Sequence, residues 1–152
     1  MGYSFYIGNA VPEFSKEDGE LTARWVVGRT ENDNAPTFQN DQCTGSSNGR
    51  HPSYSGWYSF CEEAGLVDLF YDERGHLLAG HPGCALLTAD DLARVRAALH
   101  LRRAKSRYPP GFSAAMSAND GECDACLARL IWLEWWISWA LENCETPAIQ
   151  NT

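Results

Sequence analysis

The sequence predicts an α+β fold, a small antiparallel β-sheet packed against two long helices and one short helix. Three observations predict it. Aromatic and β-branched residues gather in short runs in the N-terminal third, where strands are favoured. Two long segments in the second half carry apolar residues at helical spacing. The 152 residues, 44% hydrophobic with six tryptophans, are enough for one domain (1–152) to bury a core without metals or disulfides.

Tyr3–Ile7 is aromatic-rich, and LTARWVVGRT (Leu21–Thr30) holds a Trp-Val-Val centre. A polar connection, about Pro12 to Glu20, joins them, so the two runs are expected as neighbouring strands or a hairpin. A long polar stretch follows, Gln39 to Gly56. Ser55 can then cap a short helix from Gly56 to Ala64, which Gly65 ends. In LVDLFYDERGHLL, Asp72–Gly75 reads as a turn between two short strands, with a helix through Phe70 as the competing reading. His81-Pro82-Gly83 interrupts regular structure. Thr88-Ala89-Asp90-Asp91 resembles a capping box opening a helix to about Ser106, with acids first and bases last as the helix dipole favours. Tyr108-Pro109-Pro110-Gly111 stops it, and Ser113–Gly121 is a small-residue connector. The last helix, about Asp124 to Asn143, is apolar around nearly its whole circumference, and Thr146-Pro147 ends it, leaving a short polar tail.

The net charge of −8 argues against general nucleic-acid binding, which depends on neutralising phosphates. Arg94, Arg96, Arg102, Arg103, Lys105 and Arg107 form a basic stretch, read as a solvated helix face in preference to an anion-binding one. The opening MGYSFYIGNAVPEF lacks the basic start and apolar core of a secretory signal. The apolar run Leu127–Leu141 is too short to span a bilayer and contains Arg129 and Glu134. A cytoplasmic protein with no membrane partner is expected. The six cysteines could pair in an oxidising setting, but nothing else in the chain suggests one.

The stretch QNDQCTGSSNGRHPSYSG is the main candidate site, because long loops in small domains tend to carry function. Its literal G-x-S-x-G lacks the strand before and helix after that a nucleophile elbow requires. The same residues suit ligand binding better. Gly45 and Gly49 permit close backbone approach, Thr44, Ser46, Ser47 and Asn48 supply donors and acceptors, and Arg50 offers a planar fork for phosphate or carboxylate. His51 and Ser55 lie alongside, the following helix offers N–H groups, and Tyr54 and Trp57 could stack on a ring. The competing reading is a loop tied down by its own amides. The expected ligand is small, anionic and nucleotide-like.

Cys123-x-x-Cys126 has zinc-knuckle spacing, and His81 with Cys84 could complete a Cys₃His set. One such pair makes zinc a secondary candidate, and no other cofactor is expected. His51, His76 and His81 are acid–base candidates by type alone. Trp132, Trp135, Trp136 and Trp139 span more than one helix face, so a homodimer through that helix is expected, with one thick core under the small sheet as the alternative.

The run Thr44–Trp57, with His81-Pro82-Gly83-Cys84 and Leu133-Glu134-Trp135-Trp136, resembles a group of small bacteriophage and prophage proteins. The resemblance implies a phage setting and carries no activity with it. In that setting the leading expectation is a non-enzymatic binder that sequesters a host nucleotide signal and blunts immunity. An inhibitor of a host protein, without a small ligand, is the rival from another class. A small hydrolase using His51 or His81 is the third.

Overall fold

The chain is described from a computed structural model at residues 1–37, 41, 45–105 and 124–152. The fold class is α+β, as expected: the described residues form a curled antiparallel sheet and four helices. The elements are β1 (Phe5–Glu17), β2 (Glu20–Val27), β3 (Gly49–Arg50), α1 (Tyr54–Ala64), α2 (Val67–Phe70), β4 (Gly83–Leu86), α3 (Ala89–Lys105), α4 (Ala125–Asn143) and β5 (Pro147–Asn151). The sheet order is β2-β1-β5-β4, with β3 pairing β1 outside that path.

β1 organises the sheet by changing partners along its length. Phe5 and Tyr6 pair with β3, Phe5 to Asn9 with β5, and Ala10 to Glu17 with β2. The connection expected over Pro12–Glu20 is therefore mostly strand, and only Asp18 and Gly19 turn. Both have positive φ, 52° and 83°, as a two-residue type I′ hairpin requires, and Asp-Gly is a favoured pair for it. The alternation of Pro12, Phe14 and Lys16 with polar residues is a strand signature that the clustering of charges obscured.

The C-terminus holds the larger correction. Pro147–Asn151, expected as a polar tail, is an inner strand of the sheet, between β1 and β4. Ala148, Gln150 and Asn151 are buried. A five-residue strand with only two aliphatic side chains gives almost no periodic signal, and its partners' hydrogen bonds decide its structure.

Two helical details also differ. Ser53, not Ser55, caps α1, its hydroxyl accepting from Gly56 N–H at 3.0 Å. Gly65 closes that helix in the left-handed region, φ 72°, as expected. Between Leu66 and Leu78 each reading holds in part: α2 includes Phe70, as the helical one expects, and the Asp72–Gly75 turn is present but flanked by one isolated bridge, Tyr71 to Leu77, in place of two strands. The connector expected at Ser113–Gly121 and the Tyr108–Gly111 stop lie outside the described residues.

α4 supplies the centre of the core. Leu127, Leu130, Trp132, Leu133, Trp136 and Ile137 are buried among Phe5 and Ile7 of β1 and Trp57, Phe60 and Cys61 of α1. A buried indole removes about 200 Å² from water, worth about 5 kcal/mol before ordering costs at ~25 cal/mol/Å². The tryptophan stripe thus turns inward. Trp135 and Trp139 are half-buried and edge onto Trp136, with centroids 4.8 and 5.2 Å away. The bases of α3 stitch it to its neighbours: Arg94 to Asp68, Arg96 to Glu134, and Arg102 to both Glu63 and Asp124. Among the described residues no helix is long and apolar enough to cross a membrane.

Candidate functional site

The Gly45–Trp57 segment is packed into the fold. Asn48 is 0% exposed. Its amide nitrogen donates to the carbonyls of Ile7 at 2.8 Å and Gly28 at 3.0 Å, and its oxygen accepts from Thr30 N–H at 2.8 Å. Ser47 accepts from Gly49 N–H, and its carbonyl accepts from the Trp132 indole at 3.2 Å. Gly49 is required because an added Cβ would lie 2.6 Å from the Tyr6 ring. Trp57 is wholly buried between Phe5, Phe60 and Phe70.

Arg50 belongs to a buried charge cluster. Asp41 accepts from Arg129 Nε at 2.9 Å and Nη2 at 2.5 Å, and lies 3.5 Å from Arg50 Nη2. Side-chain exposures are 2% for Arg50 and 5% for Asp41. The Arg50 guanidinium also lies 5.8 Å from the Trp132 ring centre. An anion could reach Arg50 only by displacing this packing. Of the remaining expected ligands, Gly45, Tyr54 and Ser55 are exposed, and Ser46 and His51 are half-buried. Thr44 lies outside the described residues.

The proposed metal ligands are divided. Cys84, on β4, packs beside Ala10, Val27 and Ala148. Cys126, on α4, is in the main core near Cys61 and Arg102, where burial pushes its thiol up to about 11. Cys123 lies outside the described residues. Among the described residues, no group of three His, Cys, Asp or Glu side chains is placed to hold a metal.

A cleft of about 370 Å³ opens elsewhere, between the β4–β5 end of the sheet and helices α2, α3 and α4. Phe5, Phe70, Leu77, Leu87, Ile137 and Ile149 form its apolar lining. At its mouth Arg94 Nη2 donates to Asp68 at 2.7 Å and to the Gly65 carbonyl at 3.2 Å. That hydrogen bond holds the Asp68 carboxyl below the usual carboxylate range. Asp91 also lines the mouth, its carboxylate accepting from Thr88 N–H and hydroxyl. With Asp68, Asp91 and Arg94 together, the mouth carries a net negative charge.

Asn151, which also lines the cleft, is held by hydrogen bonds. Asn151 donates to the carbonyls of Gly80 at 2.9 Å and Gly83 at 3.4 Å, which turns its oxygen toward His81 Nδ1. His81 Nδ1 is therefore the donor to Asn151, and Nε2 lies 3.5 Å from the Tyr54 hydroxyl. Tyr3 edges onto both rings, at 4.7 and 5.1 Å. Gly83 makes this turn possible, since a Cβ there would lie 2.0 Å from the Ala79 carbonyl oxygen.

Sequence reasoning missed the cleft because its walls come from six separated segments, β1, α2, the Leu77–Leu87 region, α3, α4 and β5. The one signal was a pair of apolar runs, Leu77-Leu78 and Leu86-Leu87, flanking His81-Pro82-Gly83. No family model, curated protein or solved structure matches the chain.

Proposed function

We propose that this chain is a non-enzymatic binding protein whose ligand occupies the cleft beside β4 and α3. The carrying observation is a hollow of about 370 Å³ lined mostly by apolar side chains, with Asp68, Asp91, Arg94 and Asn151 as its polar side chains. Small-molecule sites have this character, at about 300–1,000 Å³. The ring-bearing ligand expected from the sequence suits the apolar walls. The acidic mouth disfavours a phosphate, because Asp68 and Asp91 outweigh Arg94. The ligand is accordingly compact, ring-bearing, and neutral or cationic.

A thermal-shift series tests this, since a ligand that binds only the folded state raises the melting temperature. Indole and tyramine should raise it, benzoate should do so less, and adenosine monophosphate not at all. Ala85→Phe, which fills the cleft, should remove the effect while leaving the far-ultraviolet circular dichroism unchanged. A shift with the nucleotide that Arg50→Ala removes would instead support the loop as the site.

One observation favours a second reading as a hydrolase. His81 is oriented by Asn151, as a general base needs to be. Ester turnover abolished by His81→Ala and by Asn151→Ala would support that reading.

A further inference from the structure

The β1–β2 hairpin projects from the body, and every residue from Val11 to Trp25 is exposed. Its two faces differ. Directly paired residues share a face, so Pro12 with Trp25, Phe14 with Ala23, and Lys16 with Leu21 form one side. The other side carries the Glu13–Arg24 ion pair at 2.9 Å and the Ser15–Thr22 hydroxyl pair at 2.8 Å. The apolar side runs on from the small buried cluster of Ala10, Val27 and Ala148. Phe14, Leu21 and Trp25 remain 63%, 71% and 53% exposed. A lone two-stranded ribbon is marginal in water and gains from further strands.

β2 is also an undefended edge. Exposed edges are normally blunted by proline, lysine, bulges or short length. β2 runs for eight residues, ELTARWVV, with no proline, lysine or bulge and with Glu20 and Arg24 as its charges, whereas the opposite edge strand, β4, has four residues. The Val27 N–H points away from β1, to Gln150 Oε1 at 2.5 Å. By the two-residue alternation of an antiparallel ladder, Leu21, Ala23 and Trp25 also present their N–H and C=O groups outward.

We infer that two copies of this chain pair through their β2 edges, antiparallel, about an axis at Thr22. This register brings outward-facing Leu21 and Ala23 of one copy opposite the partner's Ala23 and Leu21. It also sets Glu20 opposite the partner's Arg24 at both ends, and Thr22 opposite its own equivalent. Arg24 donates through Nε and Nη2 to Glu13, so in the pair its Nη1 would be the donor to the partner's Glu20. The Ser15–Thr22 row continues across the axis. Trp25 meets the partner's Gly19, where no side chain obstructs the indole. Opposite charges and threonine pairs are favourable cross-strand neighbours. The charge pattern of β2 is thus complementary to itself in one register, which selects a second copy as the partner. The result is one sheet of four hairpin strands with a continuous apolar face. This inference is independent of the cleft.

Light scattering coupled to size exclusion tests it with the full chain. Wild type should run at twice 16.9 kDa at high micromolar concentration. Ala23→Pro should return it to a monomer with unchanged circular dichroism, because that N–H is needed only by the partner and proline is tolerated at an open edge. Glu20→Arg and Arg24→Glu should each be monomeric alone, and their equimolar mixture should dimerise. That complementation decides the matter even if Ala23→Pro fails to fold. A wild-type monomer at every concentration overturns the inference. So does a dimer that all three substitutions leave intact.

Discussion

The buried amide of Asn48 donates to the carbonyl of Ile7 at 2.8 Å, joining the glycine-rich segment to the central strand of the sheet. The same side chain also holds Gly28 and Thr30, so one asparagine fastens β1, the end of β2 and the segment before β3. Asn48→Ala should destabilise the fold by about 3 kcal/mol, since it strands buried backbone groups worth ~1–3 kcal/mol each. Urea unfolding measures this. Asn48→Asp should be at least as damaging, because a carboxylate cannot donate to Ile7 and Gly28.

Asp41 stands between Arg129 and Arg50 with little solvent access. Removing its charge leaves two buried guanidinium groups without their shared carboxylate. Asp41→Asn should cost about 3–5 kcal/mol, the range for breaking a buried pair. Arg50→Met, which keeps the length and removes one positive charge, should cost less. Chemical denaturation of the two variants side by side checks the order.

Deleting residues 147–152 should abolish cooperative unfolding, because β5 lies between β1 and β4 and its loss splits the sheet. A calorimetric scan of the shortened chain is the check. Retention of a sharp transition would show that the sheet does not need this inner strand.

The thiols of Cys61 and Cys126 are pushed up by burial, the latter from the ordinary value near 9 to about 11. Both should resist a thiol reagent at neutral pH until the chain is unfolded, since the thiolate is the reactive form. The sign of the pH effect follows. The folded state holds its thiol protons more tightly than the unfolded chain does. For Cys126 this contribution to stability is complete below pH 9 and is lost as pH rises from 9 to 11, and for Cys61 the loss continues to higher pH. Denaturation midpoints across that interval should fall, and less steeply in Cys126→Ala.

The helices were the legible part of the fold. α3 and α4 show their spacing and caps plainly, and Gly65 marks the end of α1 as a left-handed residue. β5 was not legible, because Ala148-Ile149-Gln150 has no pattern of its own and is a strand through its neighbours' hydrogen bonds. The hairpin turn was overextended in the sequence because exposed strands on both faces look like loop. At the candidate site, the polar richness of Gly45–Gly56 was visible, but not the destination of its hydrogen bonds. Asn48 bonds to residues 18 to 41 positions away. Composition cannot distinguish an amide that binds a ligand from one that binds a distant strand. The cleft escaped notice for the same reason, being assembled from β1, α2, the Leu77–Leu87 region, α3, α4 and β5.

Methyl-resolved nuclear magnetic resonance of the protein titrated with indole tests the proposed cleft most directly. The expected result is concentration-dependent movement of the Leu77, Leu87, Ile137 and Ile149 methyl signals, with Ala85→Phe suppressing it. Unmoved cleft methyls, with perturbations confined to the Ser46–Tyr54 amides, would contradict it.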